Sequence, residues 1–254
     1  MRDSGRDKIL GRSADNGVPV YTQAMIPPRR LEAQVLPYLR PYLRKDLILR
    51  RLGPQSVLMQ IPVTLALTAT VVLLHGLRDW IPALGELYAA SGFRPSTMTW
   101  TNLLFCGVFH EGPGHFAANV VSLLICAGLA EAALGARLML IALTFGFWAS
   151  NPLTVLAFRP LLSAIAPEQW AHLAAEVDYG ASNGIYAVVG LLAALLIRPR
   201  TVILPFIFNG VFYAFASSSW LALQHLIALF AGLWIGKYAV GRRLDPRTPC
   251  NPLA

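Results

Sequence analysis

From Gln55 to Val240 the chain is a succession of long apolar runs separated by short polar or proline-bearing breaks, the first of them reading V-T-L-A-L-T-A-T-V-V-L-L. Runs of this length have two outlets, the interior of a large soluble core or the hydrocarbon of a bilayer. Charge content decides between them. Only 13% of residues are charged and 56% are hydrophobic, with a mean hydropathy of +0.54, whereas a soluble domain carries about 25% charge. The expected fold class is therefore an all-α, polytopic membrane protein, because a helix satisfies its own backbone polar groups where no water can. Six spanning helices are predicted near 56–77, 104–129, 138–158, 180–197, 201–217 and 221–240. The fourth and fifth are short against the roughly 20 residues a span needs, and Arg198-Pro199-Arg200 forces a break between them.

A net charge of +8 raises the possibility of a nucleic-acid partner. The placement of the charge argues against it. Lys and Arg gather at the chain ends and in short loops, without aromatic interleaving or a nucleic-acid motif. With the N-terminus inside, 18 Lys or Arg fall on the cytoplasmic side and 3 outside, namely Arg78, Arg94 and Arg159. That bias predicts cytoplasmic termini and an even number of spans. The domain plan is a basic cytoplasmic segment over 1–54, a six-helix membrane domain over 55–240 and a cytoplasmic tail over 241–254. The basic segment is interrupted by Pro37 and Pro41, and either lies on an anionic membrane surface or forms a solvated tail. No apolar region typical of a cleavable signal peptide stands near its start. Two long loops are expected. Asp79 to Thr99 is partly apolar, and Arg159 to Asp178 carries a short helix around Glu168 to Glu176. Cys106, Cys126 and Cys250 are scattered, which gives neither a disulfide framework nor a metal-ligand spacing.

Against this apolar background three polar groups stand out, since intramembrane polar side chains are costly and mark function. His110, His115 and Asn119 open the second span, G-A-S-N-G (Gly180 to Gly184) opens the fourth, and Gln224-His225 opens the sixth. All three spans run from the outer face inward, so the three groups fall at one depth. A serine and a histidine at one depth suggest a nucleophile and its general base. Ser182 is the candidate nucleophile, because it opens a helix whose first N–H groups have no intrahelical partner. His115 and Asn119, four residues apart, share a helix face and can both donate to an oxyanion.

The pattern H-x-x-x-x-H-x-x-x-N on the second span, G-x-S on the fourth and His on the sixth resembles the rhomboid family of intramembrane serine proteases. The resemblance runs from Trp100 to Gly236 and includes G-L-A-E-A-A-L-G, Gly128 to Gly135, at the end of the second span. It implies a six-helix rhomboid-like bundle with Ser182 as nucleophile and His225 as base, a dyad without an essential aspartate. It implies an oxyanion hole of His115, Asn119 and the Ser182 N–H, with Gly180 and Gly184 flanking the serine. Tyr186 would pack on the catalytic histidine, and His110 would be a structural hydrogen-bonding residue. Gly190, Gly232 and Gly236 would let the fourth and sixth helices approach. The Asp79 to Thr99 loop would be half-embedded, and the fifth helix would be a lateral gate.

The implied activity is cleavage of membrane-anchored protein substrates near the outer face, without cofactor or metal, in a bilayer that by analogy is a bacterial inner membrane. Three positions depart from the family pattern: Asn183 follows the serine where glycine is usual, Thr101 follows Trp100 where arginine is frequent, and Ala228 stands three after His225. The alternative is a rhomboid-like pseudoprotease that binds transmembrane helices without cleaving them. A zinc site at His110-Glu111 fails on spacing, since zincins need H-E-x-x-H on one helix face and Gly-Pro-Gly intervenes here. Glu111 and Asp178 are expected to be solvated loop carboxylates, Ser217 to Ser219 a turn, and His75 and His172 residues without a role.

Overall fold

The computed structural model describes residues 57–196, 199–216 and 222–244. Among these residues there is no β-strand; an isolated bridge pairs Phe93 with Asp178. A short 3-10 turn over Val57–Gln60 leads into α1 (Pro62–Leu77), α2 (Pro82–Ser91), α3 (Trp100–Phe105), α4 (Pro113–Leu134), α5 (Ala136–Trp148), α6 (Ser150–Ile165), α7 (Pro167–Ala175), α8 (Ser182–Ala193), α9 (Arg200–Ala216) and α10 (Ala222–Leu244). Two stretches among the described residues are long and apolar enough to cross a membrane: α4, and the nearly continuous rod of α5 and α6 over Ala136–Ile165.

Proline opens α1, α2, α4 and α7, where its missing N–H would have no partner in any case. The remaining orphan donors of α1 are met from far along the chain. Glu131 of α4, itself buried, accepts from the N–H of Val63 at 3.0 Å, the N–H of Thr64 at 2.7 Å and the Thr64 hydroxyl at 2.7 Å. A carboxylate at a helix N-terminus makes charge-assisted hydrogen bonds and meets the positive end of the dipole. It fastens α1 to the last turns of α4.

The packing is that of helices solvated by lipid. Helix α1 buries Thr64 and Thr68 and exposes Val72 and Leu73. Helix α4 buries Asn119, Ala127, Gly128 and Ala130 and exposes Val121, Ile125 and Leu129. Small and polar side chains line the interior because, without a hydrophobic force between helices, close van der Waals contact and hydrogen bonds hold them. Helix α8 is the centre, packed against α4, α5 and α10. A Cβ on Gly190 would overlap the Leu229 carbonyl, and one on Gly232 would overlap the Ala187 carbonyl. The backbones of α8 and α10 are therefore in direct contact, which fixes the relative position of anything carried near their starts.

Each predicted span overlaps helical residues, the third taking in parts of both α5 and α6, but several boundaries move. The second was expected from 104. Instead α3 ends at Phe105 and α4 begins at Pro113, because Gly112 takes a φ of 75° and breaks the helix ahead of Pro113. Helix α3 is a separate element closed by a capping box, in which Thr99 Oγ1 accepts from Asn102 N–H and Asn102 Oδ1 accepts from Thr99 N–H. The third span continues through Pro160 to Ile165, so the following loop is shorter than expected. The loop from Asp79 to Thr99 contains α2, and α7 covers most of the short helix expected there. Helix α10 runs past 240 to Leu244. The 1–54 segment, Arg198, Ser217 to Ser219, Cys250 and the end of the tail lie outside the described residues.

Candidate active site

Ser182 is the first residue of α8, and three of the four residues before it have backbone groups held by other elements. Asp178 and Phe93 exchange two backbone hydrogen bonds at 2.9 Å, Gly180 N–H donates to the Cys106 carbonyl at 2.8 Å, and Ala181 N–H donates to His110 Nε2 at 3.2 Å. The lead-in turns on Gly180, whose φ of 120° suits glycine alone. A side chain there would also collide: its Cβ would lie 2.9 Å from His115 Cε1 and 3.2 Å from Asn119 Nδ2. The serine loop thus passes directly beside the first turns of α4.

His225 stands in the first turn of α10 and brings Nε2 to 2.8 Å from Ser182 Oγ. The Tyr186 ring, one turn after the serine, stacks on the His225 ring at 4.4 Å and 18°, and Phe206 of α9 meets Tyr186 edge-on at 5.3 Å. A histidine gripped by an aromatic face has its orientation fixed before any substrate arrives. Across the loop, Asn119 Nδ2 donates to the His115 carbonyl at 3.1 Å, which leaves its second amide proton for another acceptor. The His115 side chain is exposed, whereas His110 is fully buried.

The structure therefore brings Ser182, His225, Tyr186, Gly180, His115, Asn119 and His110 to one place. Gly184 is turned elsewhere: a Cβ there would meet Phe147 and Leu143 of α5, so it serves helix packing. Asn183, the residue that departs from the family pattern, commits its amide away from the serine. Its Nδ2 donates to Asn151 Oδ1 of α6 at 2.8 Å, and Asn151 Nδ2 in turn donates to Cys106 Sγ at 3.4 Å. Ala228 is fully buried.

One expectation needs correction. Asp178 is not a solvated loop carboxylate. It is half-buried and accepts from Gln224 Nε2 at 2.6 Å, and burial pushes its pKa up to about 7, against the opposing pull of that hydrogen bond. His75 stacks on Phe116 at 4.2 Å and meets Arg78 Nη1 at 3.3 Å. Arg78 also donates to the His110 carbonyl at 3.0 Å and lies over the Tyr88 ring at 4.3 Å. His172 pairs with Glu176 at 3.2 Å on an exposed face of α7. Glu111 is exposed, as the sequence suggested. Nothing in the sequence flags Arg78 or Asn151, because their partners lie more than thirty residues away.

The described residues are helical, with helices long and apolar enough to cross a membrane, and this is the class of a helical membrane protein. The rhomboid domain family matches residues 97–242, more than half of the chain, and the chain belongs to that family. With its apolar helices, membership makes it an integral membrane protein in a family whose members are generally intramembrane serine proteases acting on membrane proteins. No curated protein and no solved structure matches the sequence.

Proposed function

We propose that the chain is an intramembrane serine endopeptidase that cleaves membrane-anchored proteins with a Ser182–His225 dyad. The observation that carries this reading is the 2.8 Å approach of His225 Nε2 to Ser182 Oγ, with the imidazole held against Tyr186. His225 takes the hydroxyl proton as Ser182 Oγ attacks the scissile carbonyl. The Ser182 N–H, unpaired within α8, joins Asn119 Nδ2 and His115 as donors to the oxyanion. The imidazolium then gives its proton to the leaving amine, and water hydrolyses the acyl-enzyme by the same exchange in reverse. Asp178 is outside this dyad, because its hydrogen bond runs to Gln224.

Helix length supports a site within the membrane. Helix α8 has 12 residues, about 18 Å at the usual rise, against a hydrocarbon core of about 30 Å. Its first residue therefore falls short of one surface. In the six-span arrangement with both termini cytoplasmic, that surface is the outer one. A substrate helix must unwind locally before its carbonyl can reach Ser182, so helix-breaking residues near the cut site favour cleavage.

The test is labelling of the purified chain in detergent with a fluorophosphonate, beside Ser182→Ala and His225→Ala. Labelling of the wild type alone is expected. A folded wild type that does not label would end the protease reading in favour of a rhomboid-like pseudoprotease that binds transmembrane helices without cleaving them.

A further inference from the structure

Beside the dyad lies a buried pair that its chemistry does not use. Gln224 precedes His225 and is 1% exposed. Its Nε2 donates to Asp178 Oδ2 at 2.6 Å, yet its Oε1, equally buried, has no donor among the described residues. Asp178 precedes Ser182 by four residues and is pinned to Phe93 through its own backbone. A closed circuit results: Asp178 leads along the chain to Ser182, Ser182 meets His225, and Gln224 returns to Asp178. A buried acceptor without a donor costs free energy comparable to a lost hydrogen bond. A protonated Asp178, already hydrogen-bonded to the same amide, can supply the missing donor.

We propose that Asp178 is a positioning residue that works as a neutral acid, its carboxyl paired with the Gln224 side-chain amide to lock the lead-in of Ser182 against the helix bearing His225. The acid proton donates to Gln224 Oε1 while Gln224 Nε2 donates to the other carboxyl oxygen, so both buried ends of the amide are satisfied. Loss of that proton to solvent sets an anion beside Oε1 and removes the donor. The surroundings favour the neutral form. Burial is the largest influence, and Glu176 on the same segment and Glu111 ahead of α4 add like charge. The Tyr179 N–H and Gln224 pull the other way and are outweighed, leaving the carboxyl at about 7.

This proposal rests on the Ser182–His225 reading, and its test separates the two. Melting temperature and fluorophosphonate labelling rate are measured on the full chain in detergent from about pH 5 to about pH 9, for wild type, Asp178→Asn and Asp178→Ala. A carboxyl harder to ionise in the fold than its ordinary 3.8 binds more protons folded than unfolded between that value and about 7. Wild-type stability therefore falls as pH rises through that window and stays low above it. Asparagine, which donates and accepts as the neutral acid does, escapes this fall. The Asn variant is expected to melt with the wild type near the acid end and several degrees above it at the alkaline end. It is also expected to label at least as fast as wild type above neutrality, with the Ala variant slower throughout. Parallel melting curves for wild type and Asn overturn the proposal. So does a folded Asn variant that fails to label, which would show that the negative charge itself is required, or an Ala variant that labels like wild type. If the wild type itself does not label, the protease reading fails, and the melting comparison still decides the pairing.

Discussion

At the residue following the candidate nucleophile, the chain carries Asn183 where its family usually has glycine. A side chain inserted beside an oxyanion site could crowd it, and reverting to glycine would then raise activity. The hydrogen bonds point the other way. The Asn183 Nδ2 donates to Asn151, which is fully buried and reaches on to Cys106, while the Asn183 Oδ1 is buried without a donor among the described residues. Asn183→Gly removes the donor to Asn151 Oδ1, and an unsatisfied buried acceptor costs about 1–3 kcal/mol. It also places glycine inside the first turn of α8, at a further cost of about 1 kcal/mol. The expected outcome is a lower melting temperature with a labelling rate no higher than wild type; faster labelling would show that Asn183 obstructs the site. Asn151 itself was invisible in the sequence as a partner, because an asparagine in an apolar run has no sign of which of many helices it faces.

Helices α8 and α10 carry the serine and the histidine, and their separation is set by glycines rather than by side-chain knobs. Comparing two glycines isolates this. A Cβ at Gly76 in α1 meets nothing within 4 Å, whereas a Cβ at Gly232 runs into the Ala187 carbonyl. Gly76→Ala should leave stability unchanged or raise it by about 0.5–1 kcal/mol through helix propensity. Gly232→Ala has to push α10 off α8, an overpacking cost of about 3 kcal/mol, and this displaces His225 from Ser182. Melting temperature and phosphonate labelling should both fall for Gly232→Ala alone; equal behaviour of the two variants would refute a backbone-set dyad distance. At this scale the sequence was read well where apolar length decides, as in α1 and the rod of α5 and α6. It was misread where hydropathy and backbone disagree. Residues 104–109 are apolar enough to extend the second span backwards, yet Gly112 with its positive φ separates them from α4. The pairing of Asp178 with Gln224, 46 residues on, and of Glu131 with Thr64, 67 residues back, was beyond any local pattern. The clustering of Ser182, His225, His115 and Asn119 was legible for a different reason: a shared depth in a bilayer converts positions along separate helices into neighbours.

For the molecule as a whole, the charge bias and the helix lengths together predict which face holds the proposed site. Helix α4 has 22 residues, about 33 Å at the helical rise, which matches a hydrocarbon core of about 30 Å. Its two ends must then lie at opposite surfaces. The Ser182 lead-in packs beside the first turn of α4, while Arg137 follows its last turn. The excess of Lys and Arg predicts that the Arg137 end lies in the cytoplasm, which would turn the serine outward. Both Glu111 and Arg137 are exposed, which makes them usable reporters. In intact cells a membrane-impermeant maleimide should modify Glu111→Cys and leave Arg137→Cys untouched until the membrane is permeabilised, with the wild type as the blank for native thiols. The blank is expected to be low for Cys106, which is buried. The opposite pattern would invert the molecule. Ser182 would then open toward the cytoplasm, and substrates would be anchored proteins whose cleavable segment lies at the inner face.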